Sequence, residues 1–299
     1  MKDKFYSGFV SLVGRPNVGK STLMNQLVGE KIAIISNKPQ TTRNRIQAIL
    51  TKDDFQVVFI DTPGIHQPKS KLGKFMVKSA TTTFNEVDLV LFLIEPDQKP
   101  GPGDIAIMEK LRGVESSIYL IINKIDKIEK GKILEIMNAY KDYVDFKEII
   151  PISAIKGENV GRLMEIIRSE LKEGPKYFSE DLITDQPERQ ICSELIREKM
   201  LVLLDEEIPH GIAVEIMSMK KRENKDLIDI EATIYCERDG HKGIIIGKKG
   251  EMLKTIGSRA RVDIERLLGS PVNLQLWVKS KKDWRDSDFL LKNFGYSNK

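Results

Sequence analysis

A chain of 299 residues has room for two ordinary domains, each able to bury its own core. Its composition, 40% hydrophobic and 31% charged, is that of a folded globular protein; two cysteines and three histidines, in no ligand-like spacing, argue against a zinc site and fit a reducing compartment. The net charge of +4 is unevenly placed: Thr233 to Lys299 carries 14 Lys and Arg against 8 Asp and Glu, and the residues before it 34 against 36, which by charge alone fits a solvated basic surface first and an anionic partner at the C-terminal end second.

The N-terminus, MKDKFYSGFV, has no apolar signal core, and the longest apolar runs are strand-sized, so neither a signal peptide nor a membrane span is expected. Strands are predicted at FVSLV (9–13), FQVVFI (55–60), LVLFLI (89–94), IYLII (118–122) and EIIPI (148–152). Helical patterns lie between them, at Ser21 to Val28, Leu72 to Phe84 and Val160 to Leu171. That alternation predicts an α/β domain over residues 1–172: a mostly parallel sheet with helices on both faces and ligands beyond the strand C-termini. The Gly174, Pro175 and Pro187 stretch reads as a linker, 173–188. Residues 189–299 then give a helix (191–207), two strands (211–219 and 226–237), a helical segment before GKKG, a helix from about Glu251 to Leu267 and a strand (272–280), an α+β module.

GRPNVGKS, Gly14 to Ser21, matches GxxxxGK(S/T) between a strand and a helix, the context of a phosphate-binding loop. Backbone N–H groups at Asn17, Gly19, Lys20, Ser21 and Thr22 are expected around the phosphates, with the Lys20 charge on the β- and γ-phosphates and the Ser21 hydroxyl on Mg²⁺. DTPG, Asp61 to Gly64, supplies a carboxylate for the same ion and, at Gly64, an N–H facing the γ-phosphate. NKID, Asn123 to Asp126 with Lys124 between, supplies a carboxylate at Asp126 that accepts two hydrogen bonds from guanine; adenine would leave it unpaired. SAIKG follows, with Ser153 and with the Ala154 N–H within reach of guanine O6. Four such motifs in order select guanine nucleotides. In ISNKPQTTRNR (35–45) a threonine completes the ion's shell when a γ-phosphate is present; Thr42 is preferred and Thr41 competes, since spacing does not separate them. Lys20, Thr42 and Gly64 are therefore the residues expected at the reacting phosphate.

GKKG, Gly247 to Gly250, is no second nucleotide loop, since nothing near it selects a base. It fits GxxG between two helical segments, the arrangement of a KH domain, which clamps a single-stranded backbone of about four nucleotides. Ile246 and the two glycines shape that loop, while Lys248, Lys249 and Lys254 add sequence-blind charge, as do Lys279, Lys281 and Lys282 further on. The late GxxG suggests type II topology. Trp277, on a strand, and Trp284, against the last helix, are expected in the core. The rival reading is a GTPase switch whose C-terminal module docks a protein or membrane partner rather than RNA.

The motifs GRPNVGKSTLMNQL, KPQTTRNRI, DTPGIH, NKID and SAIKG resemble the branch of P-loop GTPases that includes Era, Der and MnmE. With YFSEDLITDQPER, HKGIIIGKKGEMLKTIGSRARVDIE and LQLWVKSKKDWRD, the resemblance narrows to the Era family, over essentially the full chain. It implies a GTP/GDP- and Mg²⁺-dependent switch that binds the 3′ end of 16S rRNA and assists assembly of the 30S ribosomal subunit. It further implies a monomer, cytoplasmic, with a fraction peripherally attached to the cell membrane. Asn17 stands where related GTPases bind K⁺. Where Ras-like GTPases carry a water-orienting glutamine this chain has Ile65, which polarises nothing, so hydrolysis should be slow; His66 is a weak candidate base.

Overall fold

The computed structural model describes residues 4–65, 68, 70–97 and 99–296. Its first part runs β1 (Tyr6–Gly14), α1 (Lys20–Val28), β2 (Ile46–Thr51), β3 (Phe55–Asp61), α2 (Lys71–Thr82), β4 (Leu89–Ile94), α3 (Pro102–Leu111), β5 (Ser117–Ile122), α4 (Lys132–Tyr140), β6 (Glu148–Pro151), α5 (Val160–Glu170) and β7 (Lys172–Glu173). The second runs α6 (Glu188–Leu203), β8 (Ala213–Lys221), β9 (Ile228–Cys236), α7 (Asp239–Ile246), α8 (Glu251–Leu268), β10 (Val272–Ser280) and α9 (Asp288–Asn293). Two compact units result: residues up to Asp185, and Gln186–Lys299 together with the short segments Ser36–Thr41 and Ser70–Leu72.

In the first unit the sheet order is β2-β3-β1-β4-β5-β6, parallel except for β2 against β3, with β7 pairing antiparallel to β1. Strand β4 shows why both faces need cover. Leu89, Leu91 and Leu93 belong to one buried cluster, with Leu23 and Leu27 of α1 and Leu163 and Ile167 of α5. Val90, Phe92 and Ile94 belong to the other, with Ala80 of α2, Ile107 and Leu111 of α3 and Ile136 and Tyr140 of α4. Each such fully buried aliphatic side chain is worth about 2 kcal/mol relative to exposure. Strand β2 was not among the expected strands; it is a six-residue edge that follows the polar loop directly. The expected linker begins inside this unit: Gln56 Oε1 accepts from the N–H groups of Tyr177 and Phe178, and Ile49 N donates to Ile183 O at 2.9 Å.

The second unit has sheet order β10-β9-β8, with β10 parallel and β8 antiparallel to β9. Ile256, Ala260 and Ile264 of α8, four residues apart, are buried on one stripe, as are Ile191, Leu195 and Ile196 of α6. The helix-strand-strand-helix-helix-strand order is the expected α+β module. Arg197 of α6 is buried in this unit because it is paired with Glu194 and donates to the carbonyl oxygens of Gln40 and Thr41. Trp284 is in the core as expected, fully buried and donating to Gly211 O at 2.9 Å. Trp277 corrects its expectation. It is 44% exposed, because the buried phase of β10 is set by Val272 and Val278 and Trp277 has the opposite parity.

Candidate functional sites

The sheet register assembles the first site. Gly14 lies beside Leu93 and Leu12 beside Asp61, so the loop after β1 and the DTPG turn after β3 emerge together, tied by the Ile65 N–H to Gly14 O bond and by Thr62 Oγ1 to Leu12 O at 2.8 Å. Gly19 adopts φ 101°, and a Cβ there would lie 2.2 Å from Asn123 Nδ2, so only glycine fits. Lys20 is buried at the start of α1, its Nζ donating to Gly14 O (3.2 Å) and Arg15 O (2.9 Å). Burial lowers its pKa to about 8, against the opposing pull of Asp61. Thr22 follows, half-buried in the first turn. The loop's own arginine is turned away: Arg15 Nε donates to the fully buried Asp104 at 2.9 Å and its NH2 to Asp97 at 2.7 Å. It is a brace for α3, not an arginine finger.

Three oxygens converge beside Lys20. Asp61 Oδ2 accepts from Ser21 Oγ at 2.6 Å and Thr42 Oγ1 at 3.1 Å, and the two hydroxyls are 2.8 Å apart. Burial pushes the Asp61 carboxyl up, with Lys20 and the two hydroxyls opposing. Its other oxygen, Oδ1, is buried with no side-chain partner among the described residues. Two hydroxyls and a carboxylate around one point fit a hard divalent cation such as Mg²⁺. Thr41, the competing threonine, instead donates to Lys38 O (2.6 Å) and Ser36 O (3.3 Å), closing its own turn. Ile65 is buried in the core, and His66 lies outside the described residues.

On the base side Asn123 acts as a clamp. Its Nδ2 donates to Val18 O at 2.8 Å and its Oδ1 accepts the Ala154 N–H at 3.0 Å, so that N–H, expected to reach guanine O6, is engaged by the clamp here. Lys124 Nζ donates to Asn17 O at 2.7 Å and pairs with Glu95; Asn17 itself has φ 68°, within asparagine's tolerance. Asp126 is exposed but aimed, since its Oδ1 accepts from the buried Ser153 hydroxyl at 2.5 Å.

The second site lies in the second unit. Ile246, half-buried, ends α7; Lys248 and Lys249 are exposed at the tip, and Gly250 leads into α8. Gly247 has φ 74°, and a Cβ there would lie 2.7 Å from Met252 Cβ. A cleft of about 360 Å³ runs from Gly250 along α8 to β10, lined by Leu253, Lys254, Ser258, Arg261, Leu274 and Leu276 among others. Among the described residues strand β10 is the edge of its sheet, and Asn273, Leu274 and Leu276 of it line the cleft. Apolar walls with two cations suit unstacked bases under a phosphate backbone. Ser258 and Arg261 were missed in the sequence, although their spacing from Lys254, four and seven residues, marks one helix face. Lys279, Lys281 and Lys282 are exposed at and beyond the end of β10, apart from the cleft lining.

A family model described as "50S ribosome-binding GTPase" matches residues 9–124, and one described as "KH domain" matches residues 207–285. GTPase Era of Clostridioides difficile is 60% identical, with 99% of this chain and 100% of that one covered. The chain belongs to the Era family of GTPases. Era from Alkaliphilus metalliredigens is 58% identical, covering 98% of this chain and 99% of its own. Two solved Era structures, each 41% identical with TM-score 0.95, cover 98% of this chain and 100% of theirs. One is an Aquifex aeolicus Era variant bound to GDP·AlF4⁻, the other an Era in complex with MgGDPNP and nucleotides 1506–1542 of 16S ribosomal RNA. As an Era-family member this chain is a GTPase, with a P-loop domain and a KH domain.

Proposed function

We propose that this Era-family GTPase binds the 3′ end of 16S rRNA through the α8–β10 cleft and uses GTP hydrolysis to time that binding during 30S subunit assembly. The observation that carries the reading is the full-length likeness to an Era held with both MgGDPNP and 16S rRNA, together with the presence of both grips in this chain. Gly19 and Lys20 would hold the β- and γ-phosphates, and Asp126, aimed by Ser153, would select guanine. Ser21, Thr42 and Asp61 would hold Mg²⁺, which when bound neutralises charge on the phosphate oxygens. Thr42 belongs to the polar loop after α1, so the loop's order follows the γ-phosphate. With Ile65 unable to orient water and Arg15 committed to Asp104, the chain's own help to hydrolysis is modest; a K⁺ ion at Asn17 would supply the missing charge. The protein acts as a cytoplasmic monomer, where the rRNA is.

The test is binding of a labelled RNA of nucleotides 1506–1542 at one fixed salt, with a non-hydrolysable GTP analogue and with GDP. Tight binding, favoured by the GTP analogue and lost with Lys248→Asp/Lys249→Asp, is expected. Equal binding in both states discards the timing role; no binding in either discards the RNA and leaves a protein or membrane partner.

A further inference from the structure

Strand β10 has two faces, and the cleft uses one. A Cβ built at Gly257 of α8 would lie 3.3 Å from Leu276 Cδ1, so Leu276 points at α8 and into the cleft. Trp277, the next residue, must point to the other side of the sheet, where it is 44% exposed. Its register neighbour on β9 is Thr233, which is buried. Lys279, two residues on, shares its face and is exposed. The carboxylates of that face are largely committed: Glu215 accepts from the Tyr235 hydroxyl at 3.0 Å and Asp229 is held by Arg222 at 2.6 and 2.8 Å, leaving Glu231 across from Gln275. An exposed indole beside a lysine, one residue from the proposed RNA cleft on a strand that is the sheet's edge among the described residues, suits a stacking platform.

We infer that Trp277 forms a second RNA contact, stacking one base of the strand where it leaves the cleft and crosses the β10 edge, with the adjoining phosphates carried to Lys279. The inference rests on the RNA-binding reading above and extends it. A KH cleft clamps about four nucleotides, whereas the RNA bound by the related Era spans nucleotides 1506–1542. Most of such a ligand lies outside the cleft, and the edge of β10 is the cleft's own border.

The chain has two tryptophans, and the other, Trp284, is fully buried. Quenching of intrinsic fluorescence by RNA therefore reports on Trp277. Wild type, Trp277→Ala and Trp277→Phe are titrated with the RNA of nucleotides 1506–1542 and with a single-stranded 3′-end oligomer of about five nucleotides that fills only the cleft. The longer RNA should quench wild-type emission, and Trp277→Ala should weaken it by about ten- to a hundredfold, the worth of one stacked base. Phe should restore most of that affinity, and the short oligomer should bind all three alike; thermal melts of the three check the fold. Equal affinity of wild type and Trp277→Ala for the longer RNA overturns the inference alone. Equal losses for both RNAs overturn it too, by placing Trp277 in support of the cleft. If wild type binds neither RNA, the RNA-binding reading falls first.

Discussion

The hydroxyl of Thr42 lies 2.8 Å from that of Ser21, and both reach the same oxygen of Asp61. Thr41, its neighbour, spends its hydroxyl on Lys38 O and Ser36 O. The two hydroxyls are therefore placed differently: Thr41 closes its own turn, and Thr42 stands beside Ser21 and Asp61, where the proposed ion would sit. Thr42→Ala should lower GTP turnover by about a hundredfold, the usual cost of one transition-state-stabilising group, and should narrow the preference for GTP analogue over GDP. Thr41→Ala removes a turn bond worth about 1 kcal/mol and should leave turnover within about threefold. Single-turnover hydrolysis of both variants checks the assignment, and a reversed order would move the ion's ligand to Thr41.

Lys20, at its proposed place on the phosphates, should make nucleotide affinity depend on pH. Burial holds its pKa at about 8, below the 10.5 of a free lysine, so the nucleotide-free protein loses this charge as pH rises past 8. Polyphosphate favours the charged form and raises the pKa, so binding takes up a proton above that point. Affinity for GDP should be flat below about pH 7.5 and fall as pH approaches 9, by at most tenfold per unit. Lys20→Gln should bind weakly with no such slope. Calorimetric titrations in two buffers of different ionisation heat measure the proton directly; no proton uptake at pH 8.5 would put the Lys20 pKa elsewhere.

Legibility tracked how local the deciding contacts are. The four nucleotide motifs were readable because each needs its own glycines and polar groups within a few residues of a strand end. The parity of VNLQLWVKS carries the signal that was missed: Val272, Leu274, Leu276 and Val278 form the inward phase, so Trp277 lies outside, whereas its residue type alone put it in the core. Strand β2 was passed over although Ile46 and Ala48–Leu50 are apolar, because the run is short, follows the polar loop directly and is held by its pairing with β3. Contacts between residues far apart in sequence were beyond reach. Gln56 capturing Tyr177 and Phe178, Arg15 reaching Asp104, and the choice between Thr41 and Thr42 are all made by tertiary neighbours.

The Arg15–Asp104 pair should govern stability of the first unit. Asp104 is fully buried at the start of α3, where it also accepts from Gly101 N at 3.3 Å; burial pushes its carboxyl up, and Arg15 is the main opposing influence. Arg15→Ala leaves that carboxylate without its cation and should cost about 2 kcal/mol, less than a wholly buried pair because the arginine is partly exposed. Adding Asp104→Asn removes the uncompensated charge and should recover part of the loss. Urea midpoints of the single and double variants test this, and a double variant weaker by the sum of both losses would show that the two side chains act separately.

The proposed base selection rests on Asp126, a carboxylate that is exposed yet aimed. Ser153, buried, donates to Asp126 Oδ1 at 2.5 Å, fixing one oxygen and leaving Oδ2 outside that bond. Guanine presents N1–H and an amine to such a group; an amide in its place accepts from one of these donors and sets an N–H against the other. Asp126→Asn should weaken GTP binding by about a hundredfold or more, because an unmade bond to a charged group costs about 3 kcal/mol. It should gain affinity for xanthosine triphosphate, whose carbonyl at that place accepts from the new amide. Ser153→Ala keeps the carboxylate and loses only its orientation, so a loss of about fivefold, without any shift toward xanthine, is expected. Competition against a fluorescent GDP analogue reads all three affinities. If Ser153→Ala proves as damaging as Asp126→Asn, the hydroxyl is shaping the whole SAIKG loop, whose Ala154 N–H is held by Asn123, and not the carboxylate alone.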